Sequence, residues 1–131
     1  MKRDTPLFEH VDCVSLYVED LDAGIAFYAG ALGLRLLWRA ESSCGLGMRD
    51  GVAEVVLVNR HNPMADFKVE SVEAALSVFL SAGGTLVYGP FDIDIGRCAV
   101  VRDRWDNEYC LLDMTKGTYT VDADGKVTGV R

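Results

Sequence analysis

Basic residues are scarce in this chain of 131 residues, which carries 13 lysines and arginines against 20 aspartates and glutamates and has a formal net charge of −7. No run of basic residues is longer than Lys2-Arg3. Binding to nucleic acid or to an anionic membrane surface requires clustered lysine and arginine. The charge pattern therefore predicts that neither nucleic acid nor a membrane is a partner.

Long apolar runs are also absent. The longest stretches, Val55–Val58 and the interrupted segment Gly30–Leu37, are far shorter than the roughly 20 residues that a membrane-spanning helix needs. The opening segment Met1–Pro6 has no apolar core behind it, so no signal peptide is expected. These features predict a cytoplasmic protein.

The four cysteines lack the spacing of a metal or disulfide motif. Cys13, Cys44, Cys98 and Cys110 contain no Cys-x-x-Cys pair, and their spacing resembles neither a zinc ribbon nor a small disulfide scaffold. In a reducing compartment they are expected to be free thiols. The simplest interpretation of each is a small, buried, apolar side chain.

An internal repeat is the most informative feature that is present. Residues 18–33 align without a gap on residues 69–84, at an offset of 51 positions, and the two histidines, His10 and His61, are separated by the same offset. Each copy is too small to bury a core alone, so the two copies are expected to pack together.

Each copy has the hydrophobic pattern of one strand, one helix and three strands. Alternation predicts a strand over residues 11–18, and Asp20 is placed to begin a helix that ends at Gly33. In the second copy Ser71 is placed to begin the helix. The other predicted strands cover residues 34–39, 45–48, 53–58, 65–69, 85–88, 97–102 and 108–113. The sequence thus predicts one domain over residues 1–131, with βαβββ modules at about 8–60 and 61–114.

The end of the chain belongs to neither copy. Residues 118–121 and 126–130 flank an Asp-Gly turn and predict a hairpin within about 117–131. Two interpretations are open. The hairpin is an edge ribbon that shields or dimerises the sheet, or it is a lid over a cavity.

The order of these motifs resembles that of the vicinal oxygen chelate superfamily, which includes glyoxalase I, extradiol dioxygenases and bleomycin-resistance proteins. The resemblance rests on short segments at residues 18–22, 27–28, 32–34, 82–84, 89–91 and 102–109. It implies an α+β fold in which two βαβββ modules form a curved, partly open mixed sheet around a cleft, with the hairpin appended. It also implies a homodimer.

The resemblance further implies where metal ligands would lie. The four positions that correspond to ligands of metal-dependent members hold Cys13, Val56, Met64 and Cys110. None is a histidine or a carboxylate, the residues that such Fe(II) and Lewis-acid chemistry uses. Neither a metal-dependent glyoxalase or dioxygenase activity nor a cofactor is therefore expected.

The function expected from this pattern is metal-free binding of a small molecule. Acidic residues in the cleft favour a cationic ligand, and aromatic rings favour a planar one. The residues expected to bind the ligand lie on the concave face or at its rim. They are Cys13, Ser15, Tyr17, Trp38, Glu54, Val56, Met64, Asp66, Lys68, Phe91, Trp105 and Cys110.

Two alternatives remain open. Cys13, Met64 and Cys110 could together hold a soft metal or metalloid, because thiols and thioethers select thiophilic ions. Otherwise a non-metal lyase or isomerase could use Tyr17 and Lys68 as a proton-transfer pair. His10 and His61 are expected on the opposite face of their strands, from which only a bulge or loop would bring them to the cleft.

Overall fold

The structure is a computed structural model that describes residues 3–60 and 64–131, so His61 lies outside the described residues. The helices are α1 (Leu21–Ile25), which continues as a π-helical segment over Ala26–Ala31, and α2 (Val72–Ser81). The strands are β1 (His10–Tyr17), β2 (Arg35–Arg39), β3 (Ser43–Gly47), β4 (Glu54–Val58), β5 (Ala65–Lys68), β6 (Thr85–Ile93), β7 (Gly96–Arg102), β8 (Glu108–Leu112), β9 (Tyr119–Val121) and β10 (Val127–Val130). No helix among the described residues is long and apolar enough to cross a membrane.

Eight strands form one mixed sheet in the order β2-β3-β4-β1-β5-β8-β7-β6, and β9 and β10 form a separate two-stranded sheet. The two halves of the large sheet join where β1 pairs antiparallel with β5. On either side of this joint the pairing is parallel, β1 with β4 and β5 with β8. This architecture confirms the predicted α+β class.

Both helices begin where side-chain oxygens accept hydrogen bonds from free backbone N–H groups. Asp20 Oδ1 accepts from the N–H groups of Asp22 and Ala23 at the start of α1. Ser71 Oγ accepts from the Ala74 N–H at the start of α2. The predicted caps of both helices are thus present.

The helices cover one face of the sheet. Alternation along β7 directs Ala99 and Val101 toward Val72 of α2, in the larger apolar cluster. Cys98 and Val100, which alternate with these residues along β7, point to the opposite, concave face. All four cysteines are buried and free, as predicted.

Strand β6 extends farther than the predicted residues 85–88, through Gly89-Pro90 to Ile93. It is the outer strand of the sheet, where a proline need not donate a ladder hydrogen bond. Its pairing with β7 shifts on either side of Tyr88. The longer strand brings Phe91 and Ile93 to the cleft.

Candidate functional site

The concave face of the sheet encloses a cavity of about 650 Å³ to which both modules of the one chain contribute. Most of its lining is apolar. The polar and sulfur-bearing residues that line it are Asp12, Cys13, Ser15, Trp38, Ser42, Ser43, Glu54, Arg60, Met64, Asp66, Cys98, Cys110, Met114, Thr118 and Tyr119. An apolar cavity with a few converging polar groups is the usual form of a small-molecule site.

Four residues form a row across the centre of the sheet. Cys13 pairs with Glu54 on one side and with Asp66 on the other, and Asp66 pairs with Cys110. Residues paired across neighbouring strands share a face. The row therefore brings two carboxyl groups and two thiols to the cavity.

The cross-strand partner of Cys13 on β5 is not its counterpart in the repeat. The offset makes Met64 the counterpart of Cys13, but two repeats that meet through antiparallel strands do not place counterparts opposite each other. Asp66 lies across from Cys13, and the Ser15 N–H donates to the Met64 carbonyl at 3.2 Å. On β4 the residue that pairs with Cys13 is Glu54, whereas Val56, at the position that corresponds to a metal ligand, pairs with Ser15. The four positions that correspond to metal ligands hold no carboxylate, but the carboxyl groups of Glu54 and Asp66 lie on either side of Cys13.

A β-bulge adds a third carboxyl group. The pairing of β1 with β5 shifts between Val11 and Cys13, so Asp12 is the extra residue. Asp12 and Cys13 consequently both line the cavity. Sequence alternation alone would place only one of two adjacent residues there.

All three carboxyl groups are held toward the neutral state. Burial raises the pKa of Asp66 to about 6, partly offset by interactions with the Cys13 and Cys110 thiols. Burial also raises the pKa of Glu54 and of Asp12, and the charge of Asp12 raises the pKa values of both Glu54 and Asp66 further. A positive charge in the cavity would relieve this repulsion.

The sulfur atoms of Cys13, Cys110 and Met64 lie on the same side of the site as Asp66. The Cys13 thiol donates to Asp66 Oδ2 at 3.3 Å, and Cys110 Sγ lies 3.2 Å from Met64 Sδ. Burial and then the charge of Asp66 raise the pKa of Cys13, while a hydrogen bond with Cys98 and then burial raise the pKa of Cys110. Cys13 and Cys110 are therefore neutral thiols at physiological pH and are not activated nucleophiles.

At the other end of the row, Trp38 fixes Glu54. The indole Nε1–H donates to Glu54 Oε1 at 2.7 Å. A side chain at Gly45 would collide with the indole ring and with Glu54 Oε1. A second register shift, between Leu36 and Trp38, accompanies the approach of both Leu37 and Trp38 to the cavity.

The C-terminal hairpin contributes to the cavity wall. Thr118, Tyr119 and Val121 line the cavity, and the rings of Tyr119 and Trp38 lie with centroids 5.2 Å apart. The Arg39 N–H donates to the Gly125 carbonyl at 2.7 Å, which anchors the hairpin to β2. Of the two interpretations left open by the sequence, this placement favours a cover over the cavity.

Nine of the twelve residues expected to bind the ligand line the cavity, and Tyr17, Lys68 and Trp105 do not. Trp105 lies in the turn between β7 and β8 and is 73% exposed. Lys68 forms an ion pair with Glu9 at 3.1 Å. Tyr17 and Lys68 lie seven positions apart along β1, about 23 Å at the usual rise, so the structure does not bring the suggested proton-transfer pair together.

Several residues that line the cavity were not predicted from the sequence, and three of them show different reasons for this. Asp12 reaches the cavity through a bulge, and Tyr119 through a hairpin outside the repeat. Cys98 had a readable signal, because alternation along the strand predicted over residues 97–102 places it on the face opposite Ala99. His10 is exposed and pairs with Lys68 at the end of β1.

The donor set differs from that of an imidazole-based metal site, because no histidine lines the cavity among the described residues. The ligand atoms of Asp12, Cys13 and Asp66 lie within 4.8 Å of one another. This mixed oxygen and sulfur set does not fit the two-histidine, one-carboxylate site of non-haem iron oxygenases. The thiol is a ligand that thiophilic ions prefer, whereas the two carboxylates are ligands of harder ions.

A second groove, of about 910 Å³, lies on the outer surface at the start of α1. An ion pair between Arg39 and Asp22 at 2.7 Å is part of it, and acidic residues make up much of its lining. The groove is shallow and open to solvent. The enclosed cavity on the concave face is therefore the candidate functional site.

Comparison with known proteins assigns the fold. The family model of the Glyoxalase/Bleomycin resistance protein/Dioxygenase superfamily matches residues 8–111. Among solved structures, methylmalonyl-CoA epimerase from Mycobacterium tuberculosis superposes with a TM-score of 0.71 at 20% identity, covering 86% of this chain and 92% of that one. A variant of the Streptomyces coelicolor methylmalonyl-CoA epimerase, in complex with 2-nitronate-propionyl-CoA, gives a TM-score of 0.67 at 16% identity, with coverages of 82% and 99%.

Homoprotocatechuate 2,3-dioxygenase from Brevibacterium fuscum gives a TM-score of 0.64 at 21% identity, and the match covers 85% of this chain but only 38% of the dioxygenase. The comparison with curated proteins gave no match. At these identities the solved structures support the fold alone. The chemistry of the site has to be inferred from the residues that line the cavity.

Proposed function

The chain belongs to the Glyoxalase/Bleomycin resistance protein/Dioxygenase superfamily. We propose that its cavity binds a small organic cation with an apolar or planar body, and that this binding needs no metal. The observation that carries this proposal is the unbalanced charge of the cavity. Asp12, Glu54 and Asp66 line it, and among the described lining residues the one basic side chain is the exposed Arg60.

The energetics favour a cationic ligand over a neutral one. Burial of the three carboxyl groups raises their pKa values, so ionisation of these groups in the empty cavity costs folding free energy. A bound cation would lower those pKa values and recover that cost on binding. An anion would add repulsion in a poorly solvated space.

The shape and lining favour a compact ligand. A volume of about 650 Å³ suits a molecule of drug-like size or smaller. Phe91, Ile93, Val100 and Leu112 supply an apolar wall to bury its body. Sequestration, as the resemblance to the bleomycin-resistance proteins implies, needs no reacting group in the site.

The experiment is isothermal titration with two probes of similar size and opposite charge, phenyltrimethylammonium and benzenesulfonate, at pH 8. The proposal expects saturable 1:1 binding of the cation and at least tenfold weaker binding of the anion. Equal binding of the two probes, or no binding of the cation at millimolar concentration, contradicts the proposal. Glu54→Gln and Asp66→Asn should each weaken cation binding, whereas Asp124→Asn, on the exposed hairpin turn, should not.

A second candidate is a thiophilic metal held by Cys13, Met64 and Cys110. The contact between Cys110 Sγ and Met64 Sδ at 3.2 Å favours it, and so does the position of Cys13 in the same row. Such an ion must displace the thiol protons, against pKa values that burial raises. Metal analysis of protein purified without chelator tests it. Stoichiometric thiophilic metal that is lost in Cys110→Ser supports the candidate, and a metal-free protein with no high-affinity Cu(I) binding contradicts it.

The fold's small-molecule sites are often built in dimers, and a homodimer is proposed here on the resemblance alone. The cavity is nevertheless lined by both modules of one chain. Sedimentation equilibrium at micromolar concentration tests the proposal. A monomer that still binds the cationic probe would overturn the dimer and leave the binding function intact.

A further inference from the structure

We propose that the C-terminal hairpin completes an ammonium-selective subsite, in which Trp38 and Tyr119 provide aromatic faces and Glu54 provides the balancing charge. This inference rests on the proposed binding of an organic cation and identifies the chemical class of its head group. It also assigns a role to the hairpin, which lies outside both modules.

The two aromatic rings are placed for a cation. Their centroids are 5.2 Å apart and their planes are tilted by 41°, so the rings are not stacked in parallel. Both residues line the cavity and are only partly buried. Tryptophan is the strongest and tyrosine a good partner for a cation within about 6 Å of the ring centroid. Trp38 comes from β2 and Tyr119 from β9, so the ammonium group would bridge the sheet and the hairpin.

Glu54 supplies the charge next to these rings. Its Oε1 accepts the Trp38 indole N–H at 2.7 Å, and among the described residues its Oε2 accepts no hydrogen bond. No side-chain oxygen among the described residues is both fully enclosed and unpaired, so Oε2 remains accessible. Burial raises the pKa of Tyr119, and the charges of Asp94 and Glu54 raise it further, which places the phenol and the Glu54 carboxylate in the same neighbourhood.

The backbone around this subsite is adapted to it. A Cβ atom at Gly45 would collide with the Trp38 ring and with Glu54 Oε1, so β3 keeps the space that the pair occupies. The hairpin is held to β2 by the Arg39 N–H bond to the Gly125 carbonyl and by a bridge between Arg39 and Lys126. A hairpin of two short strands is not stable alone, so Tyr119 keeps its place through these contacts.

The subsite selects between kinds of ammonium. Aromatic faces attract an alkylated ammonium group without needing hydrogen bonds from it, and one free carboxylate oxygen neutralises its charge. A neutral group of the same shape would lose both interactions. The geometry points to an N-alkylated, preferably quaternary, ammonium head on a compact apolar body.

The test compares phenyltrimethylammonium with its neutral carbon isostere, tert-butylbenzene, by isothermal titration against the wild-type chain and its variants. Wild type should bind the cation about tenfold or more tightly than the isostere. Tyr119→Leu and Glu54→Gln should each reduce that preference about five- to tenfold, and Tyr119→Phe should retain it because the ring remains. The matched control is Thr120→Ala, the neighbouring hairpin residue that does not line the cavity.

The outcomes separate this inference from the proposed function. Cation binding that is unchanged in Tyr119→Leu would overturn the subsite and leave the cation-binding function standing. Failure of wild type to bind the cation would overturn the proposed function and the subsite with it. Circular dichroism and thermal melts establish that each variant is folded. If Tyr119→Leu does not fold, Tyr119→Phe provides the test, because it keeps the ring. Loss of the preference for the cation over its neutral isostere in Tyr119→Phe would overturn the inference.

Discussion

Cys13 on β1 lies directly across from Asp66 on β5, and its thiol donates a hydrogen bond to Asp66 Oδ2 at 3.3 Å. This contact crosses the joint between the two modules. It places a partly buried carboxyl group in the wall of the cavity. A thiol is a weak partner and leaves the negative charge largely unbalanced. The stability of the free protein and its affinity for a cation should therefore respond in opposite directions to changes at Asp66.

Asp66→Asn should stabilise the free protein at pH 8. Burial raises the pKa of Asp66 from its ordinary value of 3.8 to about 6. The folded chain thus holds this proton more tightly than the unfolded chain, and ionisation destabilises the fold. The penalty is absent below about pH 4, grows as pH rises toward 6, and is complete above it, at about 1–3 kcal/mol after allowing for solvent screening.

Thermal melts of both proteins from pH 4 to pH 8 check this prediction. The variant should melt higher than wild type at pH 8, and the two should converge near pH 4. The groups that affect the pKa of Asp66 are Cys13, Cys110 and Asp12. The charges of His10 and Lys68 in turn lower the pKa of Asp12. Asp124→Asn, on the exposed hairpin turn, should follow wild type throughout. A variant less stable than wild type at pH 8 would show that Asp66 is paired more strongly than its contacts indicate.

Gly45→Ala should disrupt the site with a moderate loss of stability. The added methyl group would meet the Trp38 ring and Glu54 Oε1, so the indole must move and its hydrogen bond to Glu54 must break. We expect about 1–3 kcal/mol of destabilisation and about tenfold weaker binding of phenyltrimethylammonium. Chemical unfolding and titration measure the two effects.

Gly30→Ala is the matched control, because a Cβ atom there meets nothing within 4 Å. It lies in the π-helical segment, where alanine should be neutral or slightly stabilising. If Gly45→Ala and Gly30→Ala both bind the probe like wild type, the prediction is wrong. The absence of a side chain at Gly45 would then not be needed to position the Trp38–Glu54 pair.

Much of the site could be predicted because it follows strand alternation. The alternating pattern of β1 directs Cys13 and Ser15 to the concave face, and the repeat locates the equivalent strand that carries Asp66. The cross-strand partner of Cys13 could not be predicted from the offset alone. The repeat makes Met64 the counterpart of Cys13, but the residue that pairs with Cys13 is Asp66, because the register is set by the antiparallel joint rather than by either repeat.

The rest of the site depends on irregularities that leave no periodic signal. Asp12 and Leu37 lie at register shifts, where an extra residue breaks the alternation. Tyr119 belongs to a hairpin whose position depends on backbone contacts to Arg39. The sequence predicted this hairpin from its Asp-Gly turn, but nothing local to residues 117–131 indicates the surface against which it packs.

Asp113→Ala should destabilise the second module without altering the cavity chemistry. Asp113 is only 1% exposed, and it accepts hydrogen bonds from the N–H groups of Val72 and Arg97 at 2.8 and 2.9 Å. Burial alone would raise its pKa, but these bonds and those from Thr115 outweigh burial and hold the pKa below its usual value. Its stabilisation is therefore present above about pH 4 and is lost as pH falls.

Removing the carboxylate leaves buried donors unpaired, and the expected loss is about 2–4 kcal/mol of unfolding free energy at pH 7. Asp103→Ala is the control, since Asp103 accepts similar bonds from the backbone N–H groups of Trp105 and Asn107 in a solvent-exposed turn. We expect this control to be clearly less destabilised than Asp113→Ala, because water can replace the lost bonds. Equal losses in urea unfolding of the two variants would contradict the role given to Asp113.

The most direct test of cation binding in the cavity uses the chain's two tryptophans as reporters. Trp38 lines the cavity and Trp105 lies exposed in a turn, so Trp105→Phe leaves one tryptophan inside the site and Trp38→Phe leaves one outside. Titrated with phenyltrimethylammonium at pH 8, Trp105→Phe should show a saturable fluorescence change that benzenesulfonate does not produce, and Trp38→Phe should show no saturable change. A response confined to Trp105, or one of equal size with benzenesulfonate, would contradict a cation-binding cavity.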